Sequence, residues 1–153
     1  MRIAIGADHH GYLLRREIIE LLASQGHQAM DVGTDGPEPT DYPDAARDVA
    51  RAIIAGDAER GIVICGSGAG VSIAANKFPG VKAAAVSDTF TAHQCVEHDA
   101  VNVLCLGAET VGRWLALDIV RAFVGAQFTG EERHRRRVGK IEAFERDGLG
   151  GGD

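Results

Sequence analysis

Cys65 is the strongest chemical candidate in this sequence. It ends a short apolar run at residues 62–65, and glycines follow it at positions 66, 68 and 70. This pattern predicts a strand, a turn too tight for Cβ atoms and then a helix, so that the N–H groups of the turn converge where an anion can bind. Thiolates are stabilised near helix N-termini, which makes Cys65 a candidate base or nucleophile. The alternative is a small buried hydrophobic residue, the common role of a free cysteine.

Asp8 and His9 follow the first apolar run, residues 2–7. Parallel α/β sheets bind ligands beyond the carboxyl ends of their strands, at the point where the strand order reverses. If the first and third strands are neighbours, a carboxylate, an imidazole, a thiol and a glycine turn share one crevice. We interpret this combination as a functional site.

His98 lies in the sequence Glu-His-Asp, between a predicted short helix and the fifth strand. A lone histidine in that place is more often a capping or surface residue than a catalyst. A thiol base needs a second acid–base group, however, and imidazole suits that role near neutral pH.

A basic cluster lies near the C-terminus. Arg133 and Arg137 are four residues apart, so they project from one face of a helix, and with His134 beside them they could hold a phosphate. The alternative is a solvated helix face. The whole chain has a net charge of -6, so this local surplus favours a small anionic ligand over nucleic acid.

The rest of the chain predicts the elements that position these residues. Strands are predicted at 2–7, 27–32, 62–65, 81–86 and 101–106, and helices at 12–25, 41–55, 71–77, 88–97, 110–128 and 131–147. Alternating strands and helices predict right-handed βαβ units and a parallel sheet covered on both faces. Residues 1–147 are expected to form a single domain, followed by a flexible, glycine-rich tail at 148–153.

Composition excludes several classes of protein. The hydrophobic content of 45% and charged content of 25% are those of an ordinary soluble globular protein. No apolar run approaches the ~18 to 20 residues that a membrane span needs. The chain enters its first strand directly, without a signal-peptide pattern, and its three cysteines have no disulfide-framework spacing. We therefore expect a cytoplasmic protein that does not act on membranes or nucleic acid.

Two other kinds of site are disfavoured. Asp31 ends the second strand as the ribose-binding acid of a dinucleotide fold would, but the first turn lacks the Gly-x-Gly-x-x-Gly pattern and a Walker loop is absent. His93 and His98 are five residues apart, on different sides of a helix, while His9 and His10 are adjacent. Without a preformed cage, no metal site is expected.

Several segments together resemble the type B ribose-5-phosphate isomerases and their relatives that act on allose, galactose and erythrulose phosphates. The resemblance runs in register to about residue 147. The segments that carry it are Gly-Ala-Asp-His-His-Gly (6–11), Asp-Tyr-Pro (41–43), Cys-Gly-Ser-Gly-Ala-Gly (65–70), Ile-Ala-Ala-Asn-Lys (73–77), Glu-His-Asp-Ala-Val-Asn-Val-Leu (97–104) and Arg-His-Arg-Arg-Arg-Val (133–138).

The resemblance implies a three-layer α/β/α, Rossmann-like fold with a five-stranded parallel sheet in the order 2-1-3-5-4. It also implies a homodimer or tetramer with shared active sites, no cofactor, and a small-molecule sugar phosphate as the binding partner. The implied reaction interconverts ribose 5-phosphate and ribulose 5-phosphate through an enediolate.

The same resemblance assigns roles to individual residues. Cys65 would be the base that takes the proton next to the carbonyl, and His98 would open the sugar ring. Ser67 would help a proton move between the two substrate oxygens. The implied substrate-binding residues are Asp8, His9, Tyr42, Gly66, Gly68, Ala69, Gly70 and Asp99, with Arg133, His134 and Arg137 at the phosphate, contributed across a subunit interface.

Two positions depart from the family pattern. Asp99 stands where the family usually has Asn, and Glu109 stands where it usually has a phosphate-binding Arg. Glu109 would repel a phosphate, and Arg113, one helical turn on, is the residue expected to compensate. Because of these changes, a related sugar phosphate or a free sugar is an alternative substrate, and a non-catalytic sugar-phosphate-binding module is a second class of function.

Overall fold

A five-stranded parallel sheet forms the centre of the structure, in the order β2-β1-β3-β5-β4. The computed structural model describes residues 1–148. The strands are β1 (Arg2–Ala7), β2 (Gln28–Asp31), β3 (Arg60–Cys65), β4 (Ala83–Ala85) and β5 (Val103–Gly107). The helices are α1 (Tyr12–Ser24), α2 (Tyr42–Ile54), α3 (Ala69–Ala75), α4 (Thr89–Asp99), α5 (Arg113–Gly125) and α6 (Glu132–Asp147). The predicted parallel pairing and strand order are both confirmed.

Helices cover both faces of the sheet, giving three layers. Helices α1, α4 and α5 pack on one face, and α2 and α3 pack on the other. Side chains alternate along each strand, so Ile62 and Ile64 point towards α1, α4 and α5, whereas Val63 and Cys65 point towards α2 and α3. The sulfur atom of Cys65 is therefore on the same side of the sheet as the helix that follows the glycine turn.

The central strands are apolar because both of their faces are covered. In β1, β3 and β5 the core residues include Ile3, Ile62 and Leu104, each fully buried. The edge strands are shorter than predicted: β4 covers three residues instead of six, since it pairs with β5 alone. Val81 and Val86, at the ends of the predicted run, are buried but lie outside the strand.

Helix α4 runs from the carboxyl ends of the strands, the carboxyl edge of the sheet, back to their amino ends, the amino edge. It begins after Asp88, whose side chain accepts a hydrogen bond from the N–H of Thr91 at 2.7 Å. It ends two residues later than predicted, because Ala100 terminates it with a φ of 54°. Its 11 residues span about 16 Å. Residues after β4 therefore lie at the carboxyl edge of the sheet, and residues before β5 lie at its amino edge.

Within residues 1–148, the helices are all too short or too polar to cross a membrane. From residue 149 onward, the tail predicted at 148–153 lies outside the described residues.

Candidate functional site

Cys65 lies at the carboxyl end of β3, 5% exposed. Its sulfur atom accepts a hydrogen bond from the N–H of Gly68 at 3.1 Å. Gly68 has a φ of +81°, and a Cβ atom there would lie 3.0 Å from the carbonyl carbon of Leu106. Only glycine fits both constraints. The turn predicted after Cys65 thus brings a backbone donor to the thiol.

Asp8 and His9 lie beside Cys65, at the carboxyl end of the neighbouring strand β1. The N–H of Asp8 donates to the carbonyl of Ile64 at 3.1 Å, so the two strand ends are joined directly. Asp8 is 4% exposed, and its carboxylate accepts a hydrogen bond from the N–H of His10 at 2.9 Å. The Nδ1 atom of His9 accepts from the N–H of Thr40 at 3.2 Å. The two strands are neighbours, as the shared crevice requires.

Tyr42 and Ser67 complete this region. A Cβ atom on Gly70 would lie 2.7 Å from the ring of Tyr42, so the ring packs directly against the turn. Ser67 is exposed, and its hydroxyl accepts from the N–H of Ala69 at 3.3 Å. We call Asp8, His9, Cys65 and residues 66–70 the carboxyl-end half-site.

Glu109 borders the carboxyl-end half-site. Its N–H donates to the carbonyl of Gly66 at 3.0 Å, and a Cβ atom on Gly66 would lie 3.1 Å from its Oε2 atom. Its other oxygen lies 2.7 Å from Nδ1 of His10. A carboxylate and an imidazole therefore occupy the space beside the first glycine of the turn, and sequence reasoning did not foresee the role of His10.

Arg113 does not reach Glu109. Its guanidinium pairs with the carboxylate of Glu17 and lies 4.7 Å from the ring centre of Trp114. The expected compensation by Arg113 is therefore corrected: this cation is held on α1 and on its own helix.

Asp8, His9 and His10 could together hold a metal ion, since one ligand atom from each lies within 4.8 Å of the others. This cluster was not predicted from the sequence, because two of its members are adjacent histidines. The N–H of Thr40 donates to Nδ1 of His9, so a neutral His9 carries its proton on Nε2 and offers no free nitrogen to a metal ion. Glu109 engages Nδ1 of His10, which leaves only Nε2 of that ring available. A carboxylate on Nδ1 is the usual support of a metal-binding histidine, but only His10 has one, so the hydrogen bonds of this cluster suit a hydroxyl-bearing ligand better than a metal ion.

A second group of candidates lies at the amino edge of the sheet. His98 and Asp99 occupy the last turn of α4, while Arg133 and Arg137 are exposed on α6. The ring of His98 stacks on that of His134, with centroids 4.2 Å apart. We call His98, Asp99, Arg133 and Arg137 the amino-end half-site.

The two half-sites are separated within one chain. Strand β5 begins after the amino-end half-site, and its last residue, Gly107, pairs with Cys65. Five residues of strand correspond to about 13 Å between the two edges. The structure thus keeps His98 away from Cys65 of the same chain.

His134 does not share the exposed face of Arg133 and Arg137. It is 1% exposed, and its Nδ1 atom lies 2.7 Å from the hydroxyl of Thr129. Burial lowers the pKa of His134, and its electrostatic interactions with His98 and Arg133 lower it further. The expectation that His134 helps to clamp a phosphate is corrected: the fold uses it inside the protein.

The other two thiols belong to the core. Burial raises the pKa of Cys95 to about 11 and that of Cys105 to about 12. Cys105 is fully buried between the sheet and the α2–α3 layer, and Cys95 lies on the buried side of α4, in the core on the other face of the sheet. Both are poor nucleophiles, as expected for packing residues.

Arg15 is a buried cation that sequence reasoning missed. Its guanidinium lies 3.3 Å from Asp31 and 3.5 Å from Asp35, and a Cβ atom on Gly33 would lie 1.9 Å from its Nη1 atom. Asp31, the residue that resembled a ribose-binding acid, is thus used to hold Arg15. The loop fixed in this way leads to Thr40 and so to His9.

The fold defines a class of protein, the doubly wound α/β sheets, which in general bind ligands at the carboxyl ends of their strands. The chain belongs to the Ribose/Galactose Isomerase family, whose family model matches residues 3–141.

Relatives of known name agree with this assignment. Ribose-5-phosphate isomerase B of Escherichia coli is 45% identical over 144 residues, which cover 94% of this chain and 96% of the relative. The structure of Clostridium thermocellum ribose-5-phosphate isomerase B matches with a TM-score of 0.93 at 49% identity, covering 96% of this chain and 99% of the other. Ribose-5-phosphate isomerase B from Mycoplasma genitalium, solved with bound ribulose-5-phosphate, matches with a TM-score of 0.90 at 40% identity. The match covers 95% of this chain and 97% of the other.

Proposed function

We propose that this chain is an aldose–ketose isomerase that interconverts ribose 5-phosphate and ribulose 5-phosphate through an enediolate. The observation that carries the proposal is the hydrogen bond from the N–H of Gly68 to the sulfur of Cys65, beside the buried carboxylate of Asp8. Membership of the Ribose/Galactose Isomerase family and the names of the relatives support the same reaction.

In this proposal Cys65 is the base. Its thiolate removes the proton from C2 of the open-chain aldose and returns it to C1, so that the carbonyl moves from C1 to C2. Negative charge develops on the substrate oxygens, where the N–H groups of residues 66–70 stabilise it. One such donor contributes about 10² to 10³ in rate. Ser67, exposed on the turn, moves the remaining proton between the two oxygens.

Asp8 and His9 bind substrate hydroxyls in this proposal. Since Nδ1 of His9 accepts from Thr40, a neutral His9 carries its proton on Nε2 and can donate to a hydroxyl. The carboxylate of Asp8 keeps oxygen lone pairs that can accept a hydrogen bond from another substrate hydroxyl. Tyr42, packed on Gly70, closes one side of the turn.

The amino-end half-site supplies the other functions. We assign ring opening to His98, contact with a hydroxyl to Asp99, and the phosphate to Arg133 and Arg137. Guanidinium groups bind phosphate oxygens in pairs, which suits two arginines on one helix face. Because these residues lie at the opposite edge from Cys65, a complete site needs two chains, and we propose a homodimer with shared active sites, alone or within a tetramer.

Subunit mixing tests this shared site. Cys65→Ala and His98→Asn chains are each expected to be inactive, but refolded together they form mixed dimers with one intact site. Random pairing should then recover about a quarter of the wild-type activity. No recovery, with mixed dimers present by native mass spectrometry, would show that the two half-sites do not complete one another.

The reaction itself is tested with ribose 5-phosphate in the presence of EDTA. Activity that survives the chelator and disappears in Cys65→Ala, but not in Cys95→Ala, is the expected result. Cys95 is the matched control because it is a free thiol outside the half-sites. Activity that persists in Cys65→Ala would overturn the assigned base.

Alkylation separates an enzyme from a binding module that merely kept the fold. Iodoacetamide should modify Cys65 ahead of Cys95 and Cys105, whose pKa values are raised to about 11 and about 12. Ribose 5-phosphate should slow both modification and the loss of activity. Protection from alkylation in a protein with no turnover of any sugar phosphate would instead support the binding module.

The Glu109–His10 pair favours a second candidate substrate. A carboxylate beside Gly66 repels a phosphate placed there but accepts a hydrogen bond from a hydroxyl. A related sugar, such as allose or galactose 6-phosphate, erythrulose 4-phosphate or a free sugar, is therefore the alternative. Comparison of kcat/KM across these substrates and ribose 5-phosphate identifies the preferred one.

A further inference from the structure

Thr129 and His134 connect the two helices that carry the amino-end half-site. Nδ1 of His134 lies 2.7 Å from the hydroxyl oxygen of Thr129, and the His134 ring stacks on His98. The N–H of Thr129 donates to the carbonyl of Glu97, in the last turn of α4, at 3.1 Å. A short segment in front of α6 therefore fixes the end of α4 on which His98 lies.

The hydrogen bonds of this group define one consistent arrangement of protons. The hydroxyl of Thr129 lies 3.2 Å from the carbonyl of Glu97, which can only accept. Its proton therefore goes to that carbonyl, and Nδ1–H of His134 donates to the hydroxyl oxygen. Burial lowers the pKa of His134, which favours this neutral form. The result is a chain of donors and acceptors in which every group between His134 and α4 has a partner.

We propose that Thr129 and His134 are positioning residues for His98, which hold its imidazole for the ring-opening step, and this rests on the isomerase function proposed above. In that step His98 removes the proton of the anomeric hydroxyl. The bond between C1 and the ring oxygen breaks as the C1 carbonyl forms, and the imidazolium returns the proton to the ring oxygen.

His134 acts on the substrate only through His98, since it is 1% exposed. His98 itself is half-buried near the end of a helix, where its ring would otherwise be free to change rotamer. Misplacement of a catalytic group by about 1 Å can cost about 10²-fold in rate. Stacking on His134, which Thr129 holds by a hydrogen bond, restricts the rotamers of the His98 side chain.

The two substrates of the reaction make this inference testable. Ribose 5-phosphate is mostly a closed furanose and needs ring opening before Cys65 can act. Ribulose 5-phosphate is open, because its C5 oxygen carries the phosphate and cannot close a furanose ring on C2. A defect confined to His98 therefore slows turnover of the aldose, whereas turnover of the ketose yields an open aldehyde that closes by itself.

The main experiment compares Thr129→Val with Thr129→Ser. Valine removes the hydroxyl at nearly constant shape, while serine keeps it. Thr129 is exposed, so both variants are expected to fold. We expect Thr129→Val to lose about tenfold in initial rate from ribose 5-phosphate and less than about threefold from ribulose 5-phosphate. Thr129→Ser should retain both rates.

His134→Asn gives an independent measurement. Asparagine can place an amide N–H where Nδ1 lies but has no ring to stack on His98. It should show the same difference between the two directions as Thr129→Val. Equal losses in both directions, or no loss in either, would overturn the positioning role. A wild-type protein inactive on both substrates would instead overturn the proposed function, so the two failures are distinguishable.

Discussion

The two half-sites are built in different ways. In the carboxyl-end half-site, backbone contacts position the chemical groups. The sulfur of Cys65 accepts a hydrogen bond from the N–H of Gly68, and the turn that contains Gly68 lies against the backbone of β5. In the amino-end half-site, side chains from two helices are held together by Thr129 and His134. The first should therefore tolerate almost no change of backbone, whereas the second should depend on individual charges and hydrogen bonds.

The largest expected effect comes from Gly68→Ala. A Cβ atom at this φ of +81° costs about 1 kcal/mol, and its 3.0 Å approach to the backbone of Leu106 adds about 1 to 3 kcal/mol of overpacking. Either the turn moves or the strand does, so we expect kcat to fall by more than about 100-fold. Urea unfolding and initial rates measure the two effects.

Gly56→Ala is the matched control. Gly56 has a φ of +76°, but a Cβ atom there would have nothing within 4 Å. It should lose about 1 kcal/mol of stability and keep its activity. Equal effects of the two substitutions would show that the close packing of the turn is unimportant.

Removal of a phosphate-binding arginine should have a smaller effect. Arg137→Ala is expected to raise KM for ribose 5-phosphate about tenfold with little change in kcat, because the contact is made equally in the ground state and the transition state. The effect should diminish at high salt as screening weakens the lost attraction. Arg136→Ala, an exposed neighbour on the same helix, should change KM less than about twofold. Identical behaviour of both variants would indicate a merely solvated helix face.

The turn after Cys65 could be predicted because its information is local. Alternating glycines after a β-branched run define a tight turn wherever they occur. The strand order that brings Asp8 to Cys65 was implied only by the family resemblance. The strands, the helices and the layers followed from apolar periodicity. Errors in the predicted strands and helices were confined to their ends, as in α4, which extends through His98 and Asp99.

The amino-end half-site could not be predicted to the same depth. The spacing of Arg133 and Arg137 places them on one helix face, but nothing local shows that His134 turns inward to meet Thr129. The direction of Arg113 likewise depends on Glu17, which is 96 residues away in sequence. His10 and Arg15 were missed for the same reason: each is defined by an acidic partner from a distant segment.

Glu109→Gln tests whether a charge matters at the edge of the backbone-built half-site. Loss of the carboxylate charge beside Gly66 should lower KM for ribose 5-phosphate by about three- to tenfold at low salt, because it removes a negative charge that repels the substrate phosphate. Glu20→Gln, on the exposed side of α1, removes the same charge elsewhere and should have no such effect. A raised KM in Glu109→Gln would mean that the carboxylate binds a substrate hydroxyl, which supports a different sugar.

The smallest expected effect is a pH dependence of the free energy of unfolding, which arises from His134 beside the amino-end half-site. The pKa of His134 is lowered in the folded protein by burial, then by His98, Arg133 and Arg137, while Glu131 opposes them. Between that lowered pKa and the ordinary value of about 6.5, the unfolded chain binds more protons than the native one. The free energy of unfolding should therefore fall as pH falls below about 6.5, and the contribution of His134 is fully present only above that value.

Urea unfolding at pH 7.5 and 5.5 measures this dependence. The difference in the free energy of unfolding between the two pH values should be smaller in His134→Asn than in wild type, whereas His27→Asn, outside this network, should leave the difference unchanged. If His134→Asn has the wild-type pH dependence, the buried imidazole does not couple folding to protons, and the contrast between the half-sites would rest on geometry alone.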